Sequence, residues 1–156
     1  MDLLFRASRD GMNSNSFHRK CENQGQTIIL IKNDKGNIFG GYSSISWLSD
    51  KNNAWHSSPE SFLFTLTNIY NTEPMKFVSK NDNCEIKHYA EYRPAFGKGC
   101  DLGIYQDFLK KGGWTNFSST YQDSLGKGKS IFTGDFNNNN NQYFKVKEVE
   151  VFKLLK

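Results

Sequence analysis

Two stretches of this sequence decide its fold: Phe96-Gly97-Lys98-Gly99-Cys100-Asp101-Leu102-Gly103-Ile104, and the closing stretch from Tyr143 to Leu154. The first is a glycine-punctuated loop that runs into a short strand, and glycine serves where the chain must turn sharply. The second reads as one long strand of apolar, β-branched and charged residues. Glu148 and Glu150 lie at the centre of that strand, where a carboxylate needs a structural or functional reason.

Two interpretations of these glutamates remain open. Regular alternation would place Val146, Glu148 and Glu150 on one face of the strand, and Lys147 and Val149 on the other. The apolar face therefore changes near Lys147, and a β-bulge there would turn both carboxylates outward. Without a bulge, at least one glutamate would be buried against a cation or backbone donors, and its replacement by Ala would cost about 1–3 kcal/mol of stability. The candidate cations for that case are Arg6, Arg9 and Arg93.

Length and composition favour a single domain spanning residues 1–156, which is long enough to bury a core without covalent staples. Aromatic residues make up 15% of the chain, and 13 glycines stand against three prolines. This composition is typical of a sheet-rich fold with many turns. The net charge of +4 is ordinary, so we do not expect nucleic acid as a partner.

The cysteines indicate a reducing compartment. Cys21, Cys84 and Cys100 are an odd number without close pairing, which predicts a cytoplasmic protein rather than a disulfide scaffold. The longest apolar run, Thr27 to Ile31, is too short to cross a bilayer, so no transmembrane segment is expected. We also expect a monomer.

The first half of the chain predicts one helix and one clear hairpin. A helix is expected to begin at a capping Ser14 or Ser16 and to end at Gly25. The next strand, from Thr27 to Ile31, is continuously apolar, which predicts burial on both faces. A turn at residues 33–36 then leads into a returning strand from Asn37 to Tyr42.

Further short strands complete the prediction. Residues 61–67 alternate, with Phe62, Phe64 and Leu66 on one face, and residues 76–78 and 85–89 are expected to pair as a second hairpin. Residues 131–134 read as another strand, and the asparagine run 137–141 as a solvated loop. Together these elements predict a β-rich α+β fold: a two-sheet, mostly antiparallel β-sandwich with short flanking helices.

No complete catalytic or metal-binding pattern is present, so we expect neither an enzyme nor a cofactor. The stretch Gly126–Ser130 resembles the end of a P-loop, but Asp123 replaces the required glycine and the following residues look extended. Gly97 and Gly99 precede a strand instead of following one, which favours turns over a dinucleotide site. The pairs His18/Cys21 and Cys84/His88 lack standard zinc spacing, and no metal is expected.

Cys100 is a redox candidate because it is a thiol in a glycine-rich loop, flanked by Gly99 and Asp101. Only Lys98 is a nearby cation in sequence, so a strongly lowered thiol pKa is not indicated. A redox-active protein that consumes oxidant through Cys100 is nevertheless the alternative function that the sequence leaves open.

Five segments in order resemble the TLDc domain family, which occurs in oxidation resistance proteins and nuclear receptor coactivator 7. They are Leu3–Gly11 with Phe17 and His18, then Ile38–Tyr42, Phe62–Leu66, Phe96–Leu102 and Phe144–Phe152. Each segment is weak alone, but five in the family's order over nearly the whole chain are specific.

The resemblance implies a two-sheet β-sandwich without an established catalytic mechanism. It also implies protection from oxidative stress and, through several members, binding and regulation of the vacuolar proton-pumping ATPase. We therefore expect a non-catalytic domain that binds a protein partner, with vacuolar ATPase subunits as the candidates. The residues expected to contribute to binding are Glu148, Glu150, Asp101, Gly97 and Gly99.

Overall fold

Two six-stranded antiparallel sheets form the molecule. The computed structural model describes residues 1–11, 13–49, 53–88, 94–138 and 140–155. The strands are β1 (Asp2–Arg6), β2 (Thr27–Asn33), β3 (Ile38–Ser43), β4 (Trp55–His56), β5 (Phe62–Thr67), β6 (Met75–Val78), β7 (Ile86–Lys87), β8 (Ala95–Phe96), β9 (Leu102–Ile104), β10 (Gly113–Trp114), β11 (Tyr143–Phe144) and β12 (Val146–Lys153). The helices are α1 (Ala7–Asp10), α2 (Ser14–Cys21), α3 (Phe108–Lys111) and α4 (Ser130–Thr133).

Sheet 1 has the strand order β1-β12-β2-β3-β5-β6, and sheet 2 has the order β11-β10-β9-β8-β7-β4. The expected two-sheet sandwich with short helices is therefore confirmed. The closing stretch is not one strand, because β11 belongs to sheet 2 and β12 to sheet 1, with Lys145 between them. This stretch therefore contributes one strand to each sheet.

Aromatic side chains fill the core. Phe39 of sheet 1 packs its ring 5.1 Å from the ring centres of Phe132 and Phe144. Gly41 lies on the inner side of β3, where an added Cβ would come within 2.5 Å of the Phe96 ring of sheet 2. A glycine at this position therefore lets an aromatic ring from the opposite layer approach the backbone.

The hairpin of β2 and β3 is confirmed, with its turn at the predicted residues. The predicted burial of β2 on both faces is wrong, since Ile29 and Ile31 are buried whereas Ile28 and Leu30 remain partly exposed. An antiparallel sheet in a sandwich needs to cover only one of its faces, which explains the difference.

The second predicted hairpin is wrong. Strand β6 pairs with β5 in sheet 1, whereas β7 pairs with β4 and β8 in sheet 2. The intervening turn residues therefore carry the chain from one sheet to the other. Tyr89, the predicted end of that hairpin, lies outside the described residues.

Two helix predictions need correction. Helix α2 is capped by Asn13, whose side chain accepts a hydrogen bond from Ser16 N at 3.1 Å, and the helix ends at Cys21 before Gly25 is reached. Residues 131–133, predicted as a strand, lie in the buried helix α4. A short apolar run fits either structure when both faces are covered.

Candidate functional site

The loop from Gly97 to Asp101 joins β8 to β9 and is fixed by a buried carboxylate. Asp101 is fully buried, and its side chain accepts hydrogen bonds from three successive backbone amides. The donors are Ser119 N at 2.8 Å, Thr120 N at 2.9 Å and Tyr121 N at 3.0 Å. The carboxylate thus supplies the hydrogen-bond acceptor that a strand or helix would otherwise provide to these amides. Without it, the amides of residues 119–121 would be buried without partners.

The protonation equilibrium of Asp101 reflects this burial. Removal from water raises the pKa of the Asp101 carboxyl above its ordinary value, while the three amides act in the opposite direction. The nearby charge of Asp82 raises it further. The bonds to Asp101 are all internal to the fold, which is the pattern of a structural carboxylate.

Close approach of the backbone explains the two glycines of this loop. Gly97 has φ +91°, and a Cβ there would clash with Asp101 Oδ1. A Cβ on Gly99 would come within 2.9 Å of Ser119 Oγ. These glycines allow residues 97–101 to pack against residues 116–121, and nothing in the geometry requires a ligand.

Cys100 lies in the same loop with a free thiol and a left-handed backbone at φ +57°. Burial raises the pKa of the Cys100 thiol to about 12, and the charge of Asp101 adds to this effect against the opposing charge of Lys87. The thiolate is the species that reacts with oxidants. The surroundings of Cys100 therefore disfavour the reactive form at neutral pH.

Glu148 and Glu150 point away from the core, as the bulge interpretation predicts. The register between β12 and β2 shifts between Val146 and Glu148, and Val149 and Val151 face inward on either side of Glu150. Both glutamates are consequently half-buried on the outer face of sheet 1. Neither carboxylate is buried in the core.

Each glutamate nevertheless has a partner. Arg6 Nε lies 3.3 Å from Glu150 Oε1, so the expected link to an arginine coexists with the bulge. Glu148 Oε1 accepts hydrogen bonds from Ser8 N at 3.1 Å and Val149 N at 3.0 Å. Of the other candidate cations, Arg9 pairs with Asp10, and Arg93 lies outside the described residues.

An apolar groove occupies the same outer face, and it was missed from the sequence. It has a volume of about 440 Å³. Its lining side chains come mainly from β2, β5 and β6, and they are Met1, Ile28, Leu30, Phe62, Phe64, Thr65, Leu66, Pro74, Met75 and Lys76. Leu30 also lines a smaller concavity of about 130 Å³ that includes Glu148 and Glu150, so the two concavities adjoin each other.

The predicted site residues therefore fall into two groups. Gly97, Gly99, Cys100 and Asp101 belong to a loop of sheet 2, whereas the two glutamates flank the groove on sheet 1. The alternation of Phe62, Phe64 and Leu66 was the available signal for the groove. It identifies a shared face but does not say whether that face meets the core or solvent.

Within the described ranges, no group of three or more His, Cys, Asp or Glu side chains could hold a metal ion. No helix among those residues is long and apolar enough to cross a membrane.

The strand order and the closing strand β12 define a two-sheet antiparallel β-sandwich domain. The TLDc domain model matches residues 1–155, essentially the whole chain. The chain therefore belongs to the TLDc domain family, as the five segments predict.

One curated relative is the MTOR-associated protein MEAK7 of Danio rerio, which is 40% identical over 45 residues. This similarity covers 29% of the chain and 10% of the relative. The match thus spans about a tenth of the relative's length.

Proposed function

We propose that this chain is a non-catalytic protein-interaction domain, acting as one unit over residues 1–156. The observation that carries the proposal is the apolar groove on the outer face of sheet 1, bordered by Glu148 and Glu150. Contiguous apolar surface on a folded domain is characteristic of sites that bind other molecules. The carboxylate of the Gly97–Asp101 loop instead accepts internal hydrogen bonds from three backbone amides.

Membership of the TLDc family supports a more specific form of the proposal. The partner is a subunit of the vacuolar proton-pumping ATPase, and the binding contributes to resistance against oxidative stress. The chain acts in the cytoplasm as a monomer. The relative from Danio rerio is named as MTOR-associated, which makes an mTOR-containing assembly a second partner class for the same surface.

An affinity pull-down with the full chain tests this function. The immobilised chain is incubated with a cell lysate, and the bound proteins are identified by quantitative mass spectrometry. We expect subunits of the proton pump to be enriched over a control in which Leu66, a groove residue, is replaced by Lys. Reproducible absence of pump subunits would exclude this partner, and absence of every enriched protein would contradict the interaction role.

A further inference from the structure

The outer face of sheet 1 carries one row of residues that changes from charged to apolar and back to charged. Cross-strand pairing aligns the row in the order Arg6, Glu150, Leu30, Gly40, Phe64 and Lys76. The neighbouring row is apolar at its centre, where Ile28, Tyr42 and Phe62 are paired. Two adjacent rows therefore form an apolar strip that runs across the strands.

The size of this strip limits what can cover it. From Glu150 to Lys76 the row crosses five strands, which corresponds to about 19 Å at the usual strand spacing. Two rows on one face occupy roughly 14 Å along the strands, because every second residue faces outward. The strip therefore covers on the order of 270 Å², about a third of the 800 Å² per partner that a standard stable interface buries.

A strip of this width and length matches an α-helix better than a second sheet. A helix with its side chains is about 10–12 Å wide, and 19 Å corresponds to about 13 residues. The area makes a second copy of this chain the poorer candidate, since a dimer would need substantial contacts beyond the strip. A helix with apolar residues on one side can bury that side in such a groove.

We propose that the groove binds a short amphipathic helix of a protein partner, crossing the strands from β12 to β6. This inference rests on the proposed interaction function and names the element of the partner that is recognised. The helix presents apolar side chains at positions i, i+3 or i+4, and i+7 to Leu30, Phe62 and Phe64. Leu66 follows Phe64 on the same face of β5 and lines the adjoining edge of the groove.

The charges at the two ends of the groove set the orientation of the helix. Lys76 lies at the β6 end, with its Nζ 4.9 Å from the centre of the Phe62 ring, and it favours an acidic residue of the partner there. At the β12 end, Arg6 already engages Glu150, and Lys32 is paired across from Glu148. That end therefore carries both signs of charge, and Lys76 is the better determinant of specificity.

A displayed library of randomised 16-residue peptides, selected on the immobilised full chain, tests the proposal. We expect enriched peptides to show helical apolar spacing and an acidic residue near one end. Replacing Lys76 by Glu should exchange the selected acidic residue for a basic one. Loss of a purely structural contact would not reverse a charge preference, so this readout isolates recognition.

A matched pair of substitutions measures the contribution of the groove. Leu66 and Leu48 are leucines of almost equal exposure, 39% and 38%, and Leu48 lies outside both the paired rows and the groove lining. Leu66→Lys should weaken a selected peptide by about tenfold or more, whereas Leu48→Lys should leave its affinity within about threefold. Circular dichroism and thermal melting of both variants check that each retains the fold.

Three results would overturn the inference. They are selection of peptides without helical spacing, equal binding by wild type and Leu66→Lys, or dimerisation of wild type in sedimentation experiments that Leu66→Lys abolishes. The lysate pull-down separates this inference from the broader function. If wild type and Leu66→Lys recover the same partners equally, helix binding in the groove is rejected and the interaction function is retained. If helical peptides are selected but no partner is recovered from lysate, the interaction function is rejected and helix binding in the groove is retained.

Discussion

Asp101 directly precedes β9 and Glu150 lies within β12, and the surroundings of these two carboxylates differ sharply. Asp101 is fully buried and holds three backbone amides of the segment 119–121. Glu150 keeps 25% of its side chain exposed and pairs with Arg6, whose side chain is 43% exposed. The Asp101 carboxylate fixes the backbone of the segment around it. The Glu150 carboxylate lies on a surface that is already formed by β12 and its neighbouring strands.

The difference separates a structural feature from the surface that we propose for binding. In the sequence, the Gly97–Asp101 loop looks most like a ligand site. In the structure, Asp101 accepts internal hydrogen bonds, and Gly97 and Gly99 lie where the backbone packs closely. The residues on the outer face of sheet 1 have an ordinary strand sequence. Leu66 is nevertheless 39% exposed there and lines an apolar groove. Residues with unusual chemistry can therefore stabilise the fold, while plain aliphatic residues form the surface that we propose for binding.

The largest effect is expected in the reactivity of Cys100. Because burial raises its pKa to about 12 from the ordinary 9.0, its thiolate fraction near neutral pH should be about a thousandfold lower than that of an ordinary cysteine. Iodoacetamide labelling followed by peptide mass spectrometry measures the rate in the folded and urea-unfolded chain. Peroxide consumption should also be equal for wild type and Cys100→Ser, and a faster wild type would restore the redox alternative.

Replacing Asp101 should cause the largest loss of stability. Asp101→Ala leaves three buried amides without their acceptor, and we expect a loss of about 4 kcal/mol in the free energy of unfolding. Asp101→Asn is the matched control, because it keeps the shape and one acceptor oxygen and should lose less. Urea denaturation measures both, and a loss below about 1 kcal/mol for Ala would contradict the structural role.

The pH dependence of stability gives an independent test of the same residue. Since the pKa of Asp101 is raised in the folded state, folding retains a proton that the unfolded chain releases near pH 3.8. The contribution of Asp101 to stability should therefore decline as the pH rises from 3.8 through its folded pKa. Comparing the pH profiles of wild type and Asp101→Asn isolates this contribution, and a difference that grows in the opposite direction would reject the assigned burial.

Gly97 should have a smaller but still clear effect on stability. Gly97→Ala adds a Cβ that clashes with Asp101 Oδ1 at a positive φ, and we expect a loss of about 2–3 kcal/mol. Gly126→Ala is its control, because Gly126 also has a positive φ of 70° but has open space around the added atom. The control should lose only about 1 kcal/mol in the same urea denaturation, and equal losses would remove the argument from close packing.

The smallest effects are expected at the two glutamates of β12. The partly exposed ion pair of Glu150 with Arg6 should contribute less than about 1 kcal/mol, and Glu148→Ala should cost about 1 kcal/mol through its two amide contacts. Thermal melting of Glu148→Ala and Glu150→Ala tests these values. Losses of several kcal/mol in either variant would indicate a buried structural carboxylate and remove the contrast with Asp101.

Local signals in the sequence predicted the local parts of the fold. The hairpin of β2 and β3 follows from turn residues at positions 33–36 between two apolar runs. The bulge near Lys147 follows from a change in the apolar face, which the structure resolves as a register shift. The number of short strands predicted the β-sandwich, and the five segments predicted the TLDc family. Both predictions are confirmed, by the sheet topology and by the family match.

Long-range choices could not be predicted in the same way. Turn residues at 81–83 indicate that the chain reverses its direction. They do not indicate that β6 belongs to sheet 1 whereas β7 belongs to sheet 2. Periodicity groups Phe62, Phe64 and Leu66 on one face, but only the packing of Leu63 and Thr65 into the core shows that this face is the outer one. The groove depends on which sheet each strand joins and on which face of β5 is turned outward. It could therefore not be predicted from the sequence.

Binding through the outer face of sheet 1, and not through the Gly97–Asp101 loop, is the proposal to be tested first. The most direct test is a quantitative pull-down that compares Leu66→Lys in the groove with Lys98→Glu, an exposed position in the loop. We expect Leu66→Lys to recover about tenfold less partner than wild type and Lys98→Glu to recover as much as wild type. Full recovery by Leu66→Lys together with loss in Lys98→Glu would contradict the proposal.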